Sequence, residues 1–120
     1  MPWTYSQSTG QLTRDGVVAT GYSGAPTARN NPDMQGVQNV GPIPQGSYTI
    51  GAPHNTATHG PHVMSLTPNA GTNTLGRAGF LIHGDSVRAP GTASQGCIIM
   101  DAATRQRISA SGDVALTVTR

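Results

Sequence analysis

The chain contains no lysine and no glutamate. All seven basic residues are arginine and all five acidic residues are aspartate, so charged side chains make up 10% of the 120 residues, against a usual ~25%. Both missing residues are good helix formers, and their absence disfavours long helices. Aromatic residues are only 4% and apolar residues 35%, so the core must be small. A single cysteine, Cys97, excludes an intramolecular disulfide. No apolar run reaches the ~18 residues of a membrane-spanning helix, so membrane insertion is not expected. Arg14, Arg29, Arg77, Arg88, Arg105, Arg107 and Arg120 are scattered, without the stripe that marks a nucleic-acid surface. Arg105 and Arg107 read as a solvated helix face. Met1-Pro2-Trp3-Thr4-Tyr5 has neither a basic region nor an apolar stretch, so no cleaved secretory signal is expected and synthesis is placed in the cytoplasm.

What the chain does have is turn chemistry. Sixteen glycines and nine prolines in 120 residues point to a loop-rich, mainly β domain spanning 1–120. Trp3 to Gln7 alternates as a strand, Ser8-Thr9-Gly10 turns, and Gln11 to Arg14 returns. Val17 to Tyr22 reads as a third strand, and 23–39 as a long ordered loop. Ser47 to Ile50, His62 to Leu66 and Val114 to Thr119 are further strands, while 52–61 reads as a loop carrying His54 and His59. Phe80-Leu81-Ile82-His83 and Cys97-Ile98-Ile99-Met100 are continuous apolar runs, as central strands require. Asp101 is a good N-cap, Ala102 to Ser109 the best helix, and Gly112 its stop.

The chemistry gathers around Cys97. His83-Gly84-Asp85 lies upstream, with thirteen residues between His83 and Cys97. A thiol with a pKa near 8.5 is mostly protonated at neutral pH and needs a base, which an imidazole on a neighbouring strand supplies as a thiolate–imidazolium pair. The Gly84 carbonyl or Asp85 would orient that imidazole. Gly96 permits a tight turn, so the Gly96 and Cys97 amides are candidate oxyanion donors. Taken alone, a free cysteine is more often core than catalytic; the surrounding pattern reverses this. His59 and His62 have H-x-x-H spacing, but Gly60-Pro61 breaks the helix that a metal site of that type needs, so no metal is expected. His59, Ser94, Asp85, Arg88 and Tyr22 are the candidate substrate contacts. Ser94 is equally a turn residue, an exposed loop position suits Arg88 at least as well, and core is the commoner role for Tyr22 and Trp3.

Ser94-Gln95-Gly96-Cys97, with His83-Gly84 upstream, resembles the S-x-G-C and H-G signatures of L,D-transpeptidases. Pro44-Gln45-Gly46-Ser47-Tyr48-Thr49-Ile50 is similar to their upstream P-x-G-x-[FY]-x-I segment. The closer resemblance is to the Tlde1-like branch, bacterial type VI secretion effectors that attack peptidoglycan. It is carried, in order, by Trp3 to Gly10, Tyr22-Ser23-Gly24, Asn39-Val40-Gly41-Pro42-Ile43-Pro44, His59-Gly60-Pro61, Leu66-Thr67-Pro68, Gly76-Arg77 and Phe80 to Asp85. Two positions depart from typical L,D-transpeptidases: Ile99 stands where they carry Arg, and Gln95 where they often carry His. Cysteine-before-histidine peptidases of the papain type are excluded by the order of the pair.

The resemblance implies a β-sandwich or barrel with one short helix after the cysteine strand, and no metal or organic cofactor. It implies that Cys97 attacks the acyl carbonyl preceding a terminal D-Ala in a peptidoglycan tetrapeptide stem, that His83 protonates the departing amine, and that a thioester remains. Water then gives L,D-carboxypeptidase activity and a D-amino acid gives exchange. The partners implied are wall stems, a periplasmic immunity protein and a component of the secretion apparatus, with action in the target-cell periplasm. A phage or housekeeping wall enzyme, or an inactive wall-binding module, are the alternatives.

Overall fold

The computed structural model describes residues 2–120, and among them the protein is mainly β with one helix. The strands are β1 (Trp3–Ser6), β2 (Gln11–Thr13), β3 (Val17–Thr20), β4 (Tyr22–Ser23), β5 (Gly46–Ile50), β6 (His54–Thr56), β7 (Gly60–Pro68), β8 (Phe80–His83), β9 (Ile98–Ile99) and β10 (Ala115–Thr119); α1 is Ala102–Ser111. Strand order is β3-β2-β1-β10-β5-β7-β8-β9-β4, with β6 paired to β7. Neighbours run antiparallel except β1 with β10 and β8 with β9, which are parallel.

The two ends of this order, β3 and β4, are separated in sequence by Gly21 alone. A chain that leaves one edge of a sheet and joins the other within one residue requires the edges to meet. The sheet is therefore a nearly closed barrel. The single strand expected over Val17 to Tyr22 is two, belonging to opposite edges. Gly21 donates to the Gly10 carbonyl at 2.8 Å on one side. On the other, a Cβ at Gly21 would lie 1.8 Å from the Ile99 carbonyl oxygen. Only a residue without a side chain fits this seam.

The core lies inside the barrel and comes from one face of each strand: Trp3 and Tyr5 of β1, Tyr48 and Ile50 of β5, Met64 and Leu66 of β7, Phe80 and Ile82 of β8, Leu116 and Val118 of β10. Alternation of period two puts these positions on a common face. With so few aromatics, the Tyr48–Phe80 pair is central; its rings meet edge-on at 5.9 Å and 84°, the arrangement favoured by the ring quadrupole.

Other local expectations hold or change for local reasons. Asp101 caps α1, accepting from the Thr104 amide at 2.7 Å, and Gly112 ends it in the left-handed conformation. The loop expected over 52–61 is instead the β6–β7 hairpin, whose polar strand offers no hydrophobic period to read. In the apolar run from Cys97, only Ile98–Ile99 joins the ladder. Arg105, expected on a solvated face, is buried at 6% exposure, while Arg107 is exposed.

Candidate active site

The parallel β8–β9 register pairs Ile82 with Ile98 and His83 with Ile99. Ile82 and Ile98 point into the core. Alternation therefore turns His83 and Cys97 to the opposite face, where both line a cleft of about 930 Å³. They stand two register steps apart, a diagonal of about 7–8 Å between Cα atoms on neighbouring strands, within reach of long side chains. The parallel arrangement puts His83 at the end of its strand and Cys97 just before the start of its own. The two residues are thus diagonal neighbours across the β8–β9 pair.

The His83 ring is fixed by its neighbour, with Nδ1 2.8 Å from the Gly84 carbonyl oxygen. A carbonyl only accepts, so Nδ1 carries the proton and Nε2 a lone pair. Nε2 is buried and has no hydrogen-bond partner among the described residues. Burial pushes the His83 pKa down; the Gly84 bond opposes this, and His59 and Arg105 add to the lowering. Burial likewise pushes the Cys97 thiol up, against the Leu81 amide and the Arg77 charge, which pull it down. Both shifts favour neutral forms. At rest, therefore, the thiol is protonated and the imidazole neutral.

His59, a candidate substrate contact, lines the cleft. The β6–β7 turn lays its exposed ring over His83, with centroids 4.6 Å apart at 51°. Asp85 lines the rim, but its carboxylate is engaged: it accepts from the Tyr22 hydroxyl, the Ser86 amide at 2.8 Å and the Gly91 amide at 3.0 Å. Burial would raise its pKa, yet these bonds and Arg29 outweigh that and hold it below the ordinary value. Asp85 thus clasps the 85–93 loop that walls the cleft.

The structure places four further candidates away from a direct role in the cleft. Tyr22 does not line the cleft; it is buried behind the loop, donating to Asp85 and accepting from the Ala93 amide at 3.0 Å. Arg88 is exposed and also lies outside the lining. Ser94 is fully buried; its hydroxyl accepts from Gly24 N–H at 2.8 Å and Gly96 N–H at 3.2 Å and donates to the Cys97 carbonyl at 2.7 Å. Of its two expected roles the structure shows the turn. The same bond engages the Gly96 amide, so Gly96 is not a free oxyanion donor.

Two cleft residues escaped the sequence reading. Arg77 and Arg105 are buried guanidiniums that line it. Arg105 donates to the carbonyls of Met100 at 2.7 Å, His62 at 3.2 Å and Pro61 at 3.3 Å. The signals available were the Gly76-Arg77 piece of the resemblance and the lack of helix, which leaves many loop carbonyls in need of donors. Among the described residues no three His, Cys, Asp or Glu side chains converge to hold a metal. His62, the second histidine of the H-x-x-H pair, instead has Nε2 2.7 Å from the Ser109 hydroxyl of α1.

A barrel whose outer face presents a thiol and an imidazole in one cleft has the furniture of a cysteine-nucleophile site. A sequence model of the Tlde1 domain matches residues 17–114 of this chain, which include the cleft residues Cys97, His83, His59 and Asp85. The chain belongs to the Tlde1-domain family, a family of type VI secretion effectors. No curated protein matches it.

Proposed function

We propose that the protein is a cysteine-dependent acyl-transfer enzyme acting on peptidoglycan tetrapeptide stems, delivered as an antibacterial toxin. The observation that supports this most is the buried, unpartnered Nε2 of His83 on the face that carries Cys97. An unsatisfied buried acceptor costs roughly 1–3 kcal/mol, and active sites are where such a cost is retained. Substrate brings the missing proton into play. As Sγ attacks the acyl carbonyl before the terminal D-Ala, Nε2 takes the thiol proton. The Cys97 amide is the oxyanion donor we assign, since that of Gly96 is engaged. The intermediate collapses, the C–N bond breaks, and Nε2–H protonates the departing amine. Cys97 is left as a thioester. Water, deprotonated by the same nitrogen, releases the acid and regenerates the thiol; a D-amino acid amine gives exchange instead. The cleft arginines and a net charge of +2 suit an anionic wall polymer. Action in the periplasm, with an immunity protein as antagonist and secretion machinery as carrier, belongs to the same proposal.

The test is incubation of the protein and its Cys97→Ala variant with tetrapeptide fragments, with and without a D-amino acid, read by mass spectrometry. Loss or replacement of one D-Ala by the unsubstituted protein alone is expected. Because neutral His83 is the base, the rate should rise with pH through a midpoint below the ordinary histidine value. Folded protein inert on several stem types would sink the proposal in favour of a wall-binding module.

A further inference from the structure

Arg77 is 4% exposed, and no carboxylate lies within ion-pair distance of it among the described residues. A buried cation without an acid is expensive unless dipoles surround it. Here they are all backbone carbonyls. Nη1 donates to Gln35 and to Pro42, the latter at 2.7 Å; Nη2 donates to Gly41 at 3.0 Å and to Gln95 at 3.2 Å. Three of these belong to the long 23–45 segment, which has almost no regular structure, and the fourth to the turn that carries the nucleophile. The contact with that turn is close. Gly96 has φ +132°, and a Cβ there would sit 2.4 Å from Arg77 Nη2. The guanidinium occupies the place a side chain would take.

We propose that Arg77 is a positioning residue for the nucleophile: it ties the Gln95–Gly96 turn to the 35–42 segment and supplies the positive charge that the Cys97 thiolate meets as it forms. The inference rests on the reading of Cys97 as nucleophile and adds a residue to it. Its physical basis is the missing counter-ion. Besides Cys97, the titratable group that bears electrostatically on Arg77 is Tyr48. Burial pushes that phenol up to about 12, so it stays neutral when the thiol ionises. Cys97 is thus the group that becomes anionic near a cation that has no carboxylate partner among the described residues. Four fixed hydrogen bonds also leave the guanidinium unable to swing away, so its charge is preorganised where negative charge develops. Lysine would keep the charge but, lacking the planar fork, could not bridge all four carbonyls.

The experiment is the pH dependence of iodoacetamide alkylation of Cys97 in the full chain, its Arg77→Lys variant and its Arg77→Met variant, with near-UV circular dichroism checking each fold. The apparent thiol pKa should rise by about one unit or more in Arg77→Met, as expected for loss of a nearby opposite charge, and by less in Arg77→Lys. An unchanged thiol pKa in folded Arg77→Met would overturn the inference. If that variant does not fold, the test moves to nitrogen-15 NMR of the unsubstituted protein. The Arg77 guanidinium resonances should then move with the thiol titration and stay still in Cys97→Ser; no movement in either overturns the inference. The readout is the thiol itself, so it stands apart from turnover. Inertness toward wall fragments sinks the enzymatic reading, whereas an Arg77-independent thiol sinks this one.

Discussion

Substitution of Gly21 by alanine tests the closure on which the site depends. A Cβ at this position would lie 1.8 Å from the Ile99 carbonyl oxygen, 3.0 Å from its carbon and 2.9 Å from the Met100 sulfur. The methionine can rotate away, but the carbonyl cannot, because it belongs to the β4–β9 ladder in which Tyr22 pairs with Ile99. Relief therefore requires the strands to part by more than an ångström. Overpacking of a well-packed interior costs about 1–3 kcal/mol, and a backbone obstacle places this case at or above about 3 kcal/mol. For a domain of this size that lowers Tm by about 10 °C or more. The assay is urea unfolding with calorimetry, using Gly51→Ala as control. Gly51, like Gly21, has no left-handed φ, and the nearest atom to its would-be Cβ is the Ser65 carbonyl oxygen at 3.5 Å, an ordinary contact, so it isolates the effect of an added methyl group without the clash. A Gly21→Ala protein within about 0.5 kcal/mol of the unsubstituted one, the range of ordinary surface substitutions, would refute the closed seam.

The three tyrosines provide a second check. Burial pushes Tyr22 and Tyr48 up to about 12 and Tyr5 beyond that, with the Asp85 bond adding to the effect at Tyr22. The folded state thus holds protons that the unfolded chain has released, so stability is full below pH 10 and is lost as pH rises toward 12. Absorbance at 295 nm should show no reversible phenolate near pH 10 and a rise only on unfolding; a tyrosine titrating near 10 with unchanged circular dichroism would count against the packing described. Ser94→Ala should cost roughly 2–6 kcal/mol, since it orphans the buried Gly24 and Gly96 amides at ~1–3 kcal/mol each. Urea unfolding reads this directly, and a neutral Ser94→Ala would show that the hydroxyl does not staple the turn.

The elements that were legible in the sequence are those whose signals are local. Alternation around Trp3 and Tyr5, the run Phe80–His83, and the Asp101 and Gly112 caps each express backbone preferences within a few residues, and each appears where expected. That the runs carrying His83 and Cys97 lie in neighbouring strands was legible because both are too apolar for an edge. The crossing at Gly21 was not, since it depends on a carbonyl 78 residues away. The β6–β7 hairpin was hidden because His54-Asn55-Thr56 carries no apolar period. For Tyr22 and Ser94 the sequence left a cleft role and a structural role both open, because it does not say which way a side chain turns. Both point behind the wall, where they hold the wall in place.

Arg77 and Arg105 were missed for a deeper reason: formal charge argues for the surface. In this chain that argument is outweighed by the demand for donors. The 24–45 segment has one short 3₁₀ turn, Pro32–Met34, and no strand, so its buried carbonyls find few partners in a ladder. A guanidinium offers five N–H groups in a fixed fork. It can tie several loop carbonyls together where hydroxyls would need several residues. A core with few aromatics leaves little apolar surface to fix such loops by packing. Arg77 joins the loop to the cysteine turn, and Arg105 joins the α1 end of β9 to the start of β7. The residues that make the cleft rigid are therefore the same ones that make it cationic. Removing either charge should loosen the cleft walls as well as alter the field, which is why the thiol pKa, rather than turnover alone, separates the two effects.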